Sequence, residues 1–501
     1  MPDSESIDRP VASTNPQSTT LQSTGATDNA PALDKTFKPS WVFAMALGSA
    51  IGWGAFILPF DWMSEGGLCG TLLGFLIGGF AILVVAFSYG FVVRALPVTG
   101  GGVAFALASL GRIHAFIAGW ALTLGYAGIV ALNASAITLV FRVTLPDLFM
   151  RNKLYEVAGW DIYLPEVLIA SLFIIVFGFL NYRGASISGR FQFYAVVLII
   201  VSVAIIFVSM VIYYFTNDIT MAPGYPSDTS PLAAIAVIVA FAPWAYVGFD
   251  SVPQLAGEFN FSPRKALGLL IWGVSIATLI YMTMMIATSI AVADGHANYA
   301  DDAWPPAAAI GDVMGPVGLI LMVVAVSAGV LTGLNGFYTA TSRVLFTMGK
   351  AQMLPSQVSH IHPKHNTPVI AIVVTALLCL ISPWFGRAAL NWVVDMTSVG
   401  ITIAYFYACY CAYKIARDGK LRSVQLETGS NPVQKWISLA GCILSLGFMA
   451  LLLVPGSPGV LSTESFYALV AWLILGLGFF WMRSKVYLSQ DEDELKKVVL
   501  Q

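Results

Sequence analysis

Gly48-Ser49-Ala50-Ile51-Gly52-Trp53-Gly54-Ala55-Phe56 lies in the middle of an apolar stretch that runs from Trp41 to Trp62, with Pro59 just beyond the glycines. A second apolar stretch, Pro231 to Ala256, is interrupted by Ala242-Pro243-Trp244 and then by Gly248-Phe249-Asp250. In hydrocarbon no water satisfies backbone N–H and C=O groups, so a break is tolerated only where it lines a protein cavity. Paired breaks in the two halves of a many-span chain point to a transporter's binding site near the bilayer midplane.

Composition agrees with that reading. The chain has 501 residues, 57% hydrophobic and 10% charged. Soluble domains carry about 25% charged residues, so this is a membrane protein. A net charge of −2 gives no reason to expect nucleic acid as a partner. Windows of about 20 apolar residues mark twelve segments: 41–63, 68–95, 114–142, 165–182, 191–215, 231–257, 266–293, 315–342, 368–384, 388–413, 435–455 and 464–483. The short gaps 64–67 and 385–387 read as tight turns. Residues 1–40 are polar, lack the apolar core of a signal peptide and read as a disordered, solvated tail. Residues 484–501 form a second tail.

Charge sets the orientation. Of 25 Lys and Arg, only Arg142, Arg151, Lys153 and Arg387 fall on one side of the segments, and the other 21 fall on the opposite side with both tails. The positive-inside rule then places both termini in the cytoplasm. The loop 294–312 carries Asp294, Asp301, Asp302 and Asp312 without a cation and reads as solvated. Its Pro305-Pro306-Ala307 offers the start of a short helix that would act as a lid.

The pattern is an all-α membrane protein of twelve transmembrane helices. Segments 1 and 6 are discontinuous and five spans apart, which suits a 5+5 inverted repeat, 41–215 and 231–413, with helices 11 and 12 (435–483) appended. Glycines around Trp53 free N–H groups for an anionic ligand group at the start of a half-helix. Pro243 frees carbonyls upstream around Val239 and Ala240, acceptors suited to an ammonium. One break of donors and one of acceptors makes a site for a zwitterion, with Trp244 and Tyr246 available as an aromatic wall.

Ionisable groups within spans are functional candidates. Asp250 has two readings, a proton carrier made so by burial or a cap for the second half-helix. Glu258 either carries or gates, or pairs with Arg264 or Lys265. Asp395 is a weaker candidate. Asn133, Ser327, Asn335 and Ser398 stand at membrane depth, as do Thr332 and Thr397. They either line a pathway or bond between or within helices. The five cysteines are scattered and read as packing residues. The five histidines fall in loops or at span ends, so no nucleophile–base or metal cluster suggests an enzyme. No cofactor or metal is expected.

These stretches resemble the amino acid–polyamine–organocation (APC) superfamily, built on the leucine-transporter inverted-repeat fold. The motifs are Gly48 to Phe56; Leu96-Pro97-Val98-Thr99-Gly100-Gly101 with Gly119-Trp120; Asn181-Tyr182-Arg183-Gly184; Val247-Gly248-Phe249-Asp250 with Glu258; and Ser342-Arg343 through Leu354-Pro355 to Thr367-Pro368. They span roughly residues 41–483 in the family's order. The resemblance implies substrate binding at Ile51, Gly52, Trp53 and Gly54, and at Ala242, Trp244, Tyr246 and Val247. It implies an amino acid or related amine as substrate, a lipid bilayer as setting, and alternating access. Proton symport is the first expectation and exchange the alternative; a non-transporting sensor of the same fold is a third reading. Two departures stand out. Trp53 replaces the Ser or Thr of many relatives, and the region Tyr194–Ser202 lacks the Lys that takes sodium's place in some of them.

Overall fold

The structure is a computed structural model that describes residues 33–219, 221, 224–293, 299–300, 302–386, 388–419, 421, 431–457 and 459–500. Tail residues 1–32, together with Asp294, His296, Asp301, Arg387, Lys420 and Arg422, lie outside the described residues.

Among the described residues, eighteen α-helices follow one another, with one small hairpin. Segment 1 is α1 (Pro39–Ile51), α2 (Gly54–Ile57) and the start of α3 (Pro59–Ala95). Gly67, at φ 64° and ψ 173°, bends α3 where the first turn is expected, so its remainder is segment 2. Next come α4 (Gly101–Leu110), α5 (Arg112–Thr144) and α6 (Pro146–Phe149). The hairpin strands β1 (Lys153–Val157) and β2 (Trp160–Tyr163) follow, then α7 (Leu164–Tyr182) and α8 (Ala185–Thr216). Segment 6 is α9 (Pro231–Ala240), α10 (Ala242–Ala245) and two 3₁₀ turns, Phe249–Gln254 and Ala256–Glu258. Then come α11 (Ala266–Val292), α12 (Pro305–Met314), α13 (Pro316–Lys350), α14 (Val369–Cys379) and α15 (Ala388–Asp418), and finally α16 (Pro432–Leu453), α17 (Thr463–Ser489) and α18 (Glu492–Leu500).

Among the described residues, nine helices are long and apolar enough to cross a membrane. The interrupted segments 1 and 6 and the short α14 fall below that length. The lipid-facing positions explain the composition: Phe80, Ile175, Phe215, Trp272 and Trp481 are all more than half exposed on the protein alone.

Several stretches expected as loop or tail are built in. Leu33 and Phe37 are buried, and Phe37 pairs with the segment 6 end through Phe37 N–H to Glu258 O (3.0 Å) and Asn260 N–H to Phe37 O (3.1 Å). The solvated-tail reading therefore fails at Leu33 and Phe37, while Asp34, Lys35 and Lys38 stay exposed. Residues 96–111 hold the buried helix α4, whose start is fixed by Gln254. Its backbone O accepts from Gly100 N–H at 2.8 Å and its Oε1 from Gly102 N–H at 3.0 Å. The C-terminal tail forms α18, anchored through Arg112, which donates to Leu488 O and Gln490 O (2.9 and 2.6 Å). The loop before α13 holds α12, and Trp304 at its start is buried with Nε1 donating to Phe56 O at 2.9 Å. An indole that finds both apolar cover and an acceptor has reason to leave water.

Candidate functional site

Segment 1 ends its first helix at Gly52, whose φ 52° and ψ −146° are accessible to glycine and strained for other residues. The chain then restarts at Gly54, and the N–H groups of Trp53, Gly54 and Ala55 make no backbone hydrogen bond among the described residues. Segment 6 breaks at Gly248, with φ 132°. A Cβ there would lie 2.4 Å from the Ser49 carbonyl carbon and 2.5 Å from Ala50 N, so only glycine lets the two interruptions press together.

Between them is a small cavity of about 30 Å³. Ser49, Ala50, Ile51, Gly52, Trp53 and Gly54 line it from segment 1, and Trp244, Ala245 and Val247 from segment 6. The remaining wall is Ile129, Leu132 and Asn133 of α5, Tyr281 of α11 and Phe337 of α13. Trp53 and Trp244 meet edge-on with ring centres 5.5 Å apart. Two residues expected at the site turn away from it. The Tyr246 hydroxyl donates to Phe75 O of α3 at 2.8 Å, and the Ala242 methyl packs where Gly78 of α3 leaves room. Proline-led α10 rotates these two onto segment 2, and Ala245 faces the cavity instead.

The Tyr281 hydroxyl joins both breaks. It lies 3.1 Å from Ala50 O, 3.0 Å from Ile51 O and 2.9 Å from Ala245 O. A phenol has one proton to give, so at any moment two of those three carbonyls lack it as a donor. Three converging acceptors suit an ammonium group, which brings three N–H bonds.

Asp250 lies fully buried beneath the cavity. Its Oδ1 accepts from Gly248 N–H (2.8 Å) and its Oδ2 from Tyr126 hydroxyl (2.7 Å). It does not cap the residues that follow it, because the chain there is a tight 3₁₀ turn whose N–H groups point elsewhere. No Lys or Arg pairs with it among the described residues. Glu258 differs. It is clamped by Arg343, Nε to Oε1 and Nη2 to Oε2, both 2.9 Å, with both side chains buried. Arg264 and Lys265, the partners suggested by sequence proximity, are exposed. Arg343 was expected just past the end of segment 8, but α13 continues to Lys350 and carries it inside.

The polar candidates separate. Asn133 lines the cavity; its Nδ2 donates to Ile129 O of its own helix (2.8 Å), and its buried Oδ1 has no partner among the described residues. Asn335 belongs to a network away from the cavity. It donates to Gln192 Oε1 (2.8 Å) and accepts from Ser188 hydroxyl (2.9 Å) and Asn181 Nδ2 (3.4 Å). Ser327 lies in a surface groove between α8 and α13. Ser398 and Thr397 bond to Val394 O of their own helix (both 2.8 Å), while Thr332 donates to Gly48 O of α1 (3.1 Å). Asp395 accepts from Ser462 N–H and Ser465 hydroxyl at the start of α17 (3.2 and 2.7 Å).

Tyr281, Gln192 and Arg343 are what sequence reasoning missed as working parts. Gln192 donates to Ala44 O of α1 (3.3 Å) and Thr332 O of α13 (3.2 Å). A neutral amide thus bridges segments 1 and 8 two residues before the uncharged stretch from Tyr194. An amide at the edge of the apolar run that follows it was its only signal.

At the end opposite α1, Arg142 grips Glu166 through Nε (2.5 Å) and Nη2 (2.6 Å) and donates to Asp161 O of the hairpin (2.8 Å). Its guanidinium lies 4.2 Å from the Trp160 ring centre. Trp160 and Trp53 line one further small cavity, so the hairpin closes the space beyond the first break. On the hairpin surface, the Lys153 ammonium hydrogen-bonds Asp161 and holds that carboxyl below its ordinary pKa.

An all-helical membrane protein with two interrupted helices around a central cavity has the build of a transporter. The family model described as amino acid permease matches residues 37–479, and the chain belongs to that family, within the APC superfamily, whose members are permeases and not enzymes. It is similar to the branched-chain amino acid permease BcaP of Bacillus subtilis (strain 168), 24% identical over 88% of this chain and 91% of that protein. The methylthioribose transporter of the same organism is 22% identical over 93% of this chain and 96% of its own length. Its serine/threonine exchanger SteT is 25% identical over 81% and 89%.

Proposed function

We propose that this permease carries an amino acid across the cell membrane by alternating access, coupled to a proton held at Asp250. The carrying observation is the convergence of both helix breaks on one cavity, with free N–H groups on segment 1 and three carbonyls gathered at Tyr281. The carboxylate binds the N–H groups of Trp53, Gly54 and Ala55, and the ammonium binds the carbonyls. Two five-helix repeats, 41–215 and 231–413, supply a moving bundle (segments 1, 2, 6 and 7) and a scaffold (segments 3, 4, 5, 8, 9 and 10). Both termini face the cytoplasm, as the charge bias supports.

Asp250 is favoured over Glu258 as the proton carrier on charge balance. Glu258 is already neutralised by Arg343 and has no need of a proton. Asp250 is buried with neutral donors alone, and a buried carboxylate without a cation is costly. Protonation relieves that cost, and it accompanies movement of segment 6.

The test is uptake into proteoliposomes of the full-length protein with and without an imposed pH gradient. Wild-type uptake is expected to rise with inward proton drive. The conservative variant Asp250→Asn should flatten this dependence. Wild-type uptake indifferent to the gradient would remove proton coupling, and no uptake of any amino acid would remove the transport reading.

A further inference from the structure

We infer that the cavity selects neutral α-amino acids with a hydrogen-bond donor on the side chain, and that Asn133 Oδ1 is the acceptor that reads it. The inference rests on the transport reading above and narrows it to a substrate class.

Charge comes first. No side chain lining the cavity is a carboxylate, an ammonium, a guanidinium or an imidazole. Asp250 is outside the lining, with both its oxygens engaged by Gly248 and Tyr126. A substrate with a cationic or anionic side chain would bury that charge without a partner, which costs far more than apolar contact returns. Lysine, arginine, aspartate and glutamate are therefore excluded as substrates.

The second observation is the orphaned oxygen. Asn133 is only 2% exposed, and its amide can be oriented in one sensible way. Nδ2 donates to Ile129 O at 2.8 Å. Turning the amide over would set two oxygens against each other, so Oδ1 is necessarily the free atom. The side chain packs against Gly333 of α13, where even a methyl group would come within 2.7 Å of Oδ1, so it has little room to swing away. A buried acceptor left unpaired costs free energy, and a ligand donor removes that cost.

The third is position. The substrate's carboxylate and ammonium are taken by the two breaks, so its side chain meets the wall formed by Ile129, Leu132, Asn133 and Phe337. Three of these are apolar and one is the amide. That wall accepts a short carbon chain and offers the Asn133 acceptor to a hydroxyl, thiol or amide N–H. The Ser49 hydroxyl, also buried without a partner among the described residues, lines the same cavity from α1. A site that hydrogen-bonds a substrate hydroxyl discriminates against the analogue lacking it, because its own polar group is then stranded.

Threonine and valine are near-isosteric and differ by that donor. Thermal-shift titrations of the purified full-length protein with L-threonine, L-valine, L-serine, L-alanine, L-lysine and L-glutamate give the comparison. One neutral hydrogen bond predicts threonine tighter than valine, and serine tighter than alanine, by about two- to tenfold. Lysine and glutamate should produce no shift. In Asn133→Leu the threonine-to-valine ratio should fall to about one. Valine binding as tightly as threonine in the wild type, lysine or glutamate binding alongside them, or a ratio unmoved in Asn133→Leu overturns the inference. Should that variant fail to fold, Asn133→Ala carries the same comparison, and Ser49→Ala, which should leave the threonine-to-valine ratio unchanged, separates the two polar groups of the cavity. Amino acids binding without hydroxyl preference sinks this inference alone; no amino acid binding sinks the transport reading with it.

Discussion

Glu258 and Arg343 lie 85 residues apart and form a bidentate pair with both side chains no more than 2% exposed. Removing one partner strands a buried charge, a loss of about 3–5 kcal/mol. Replacing both with apolar groups of similar volume is neutral or stabilising by about 1–4 kcal/mol. Glu258→Met and Arg343→Met should therefore each destabilise strongly, while the double variant regains most of the loss. The coupling energy is then about 3 kcal/mol or more, a large share of the marginal stability of a folded domain. Arg343 also donates from Nη1 to Ser342 hydroxyl at 3.0 Å, which the cycle cancels because both Arg343 variants lose it. The assay is equilibrium unfolding in detergent of wild type, both single variants and the double. Single variants within about 1 kcal/mol of wild type and adding simply would mark an exposed bridge of little worth. That result would refute the buried clamp.

Two further perturbations address the breaks. Gly248→Ala drives a Cβ to 2.4–2.5 Å from the backbone of Ser49 and Ala50 and asks alanine to hold φ 132°. Overpacking of this kind costs about 1–3 kcal/mol before the backbone strain is added. Uptake should be lost and thermal stability lowered; normal uptake would mean the segments do not touch there in the working protein. Tyr281→Phe keeps the ring packing against Phe75 and Tyr246 but removes the donor shared by three carbonyls. The free protein should lose about 1–3 kcal/mol, and saturating substrate should recover part of it, since the ammonium replaces the hydroxyl. A stability gap unchanged by substrate would show that the ammonium binds elsewhere.

Much of the architecture was legible in local sequence. Apolar length marked the spans, and Gly52, Gly67 and Gly248 marked where helices stop or bend, because those residues change the backbone at their own position. The small helix α12 was readable from Pro305-Pro306-Ala307, yet its burial was not, since Trp304 finds its acceptor at Phe56 O, far away in sequence. Tyr246 and Ala242 stood in the right segment, but which face they present is set by one turn of α10.

The order of spans, the two interruptions and the membrane setting are thus properties of the chain read alone, because hydrophobicity and backbone freedom act over a few residues. The tertiary structure decided that Glu258 meets Arg343 and not its neighbours Arg264 and Lys265. It also gathered carbonyls from two segments at one phenol of a third, and left a single amide oxygen of Asn133 without a partner. Those outcomes depend on which helix faces pack together, and no spacing along one segment specifies the side chain that arrives from another.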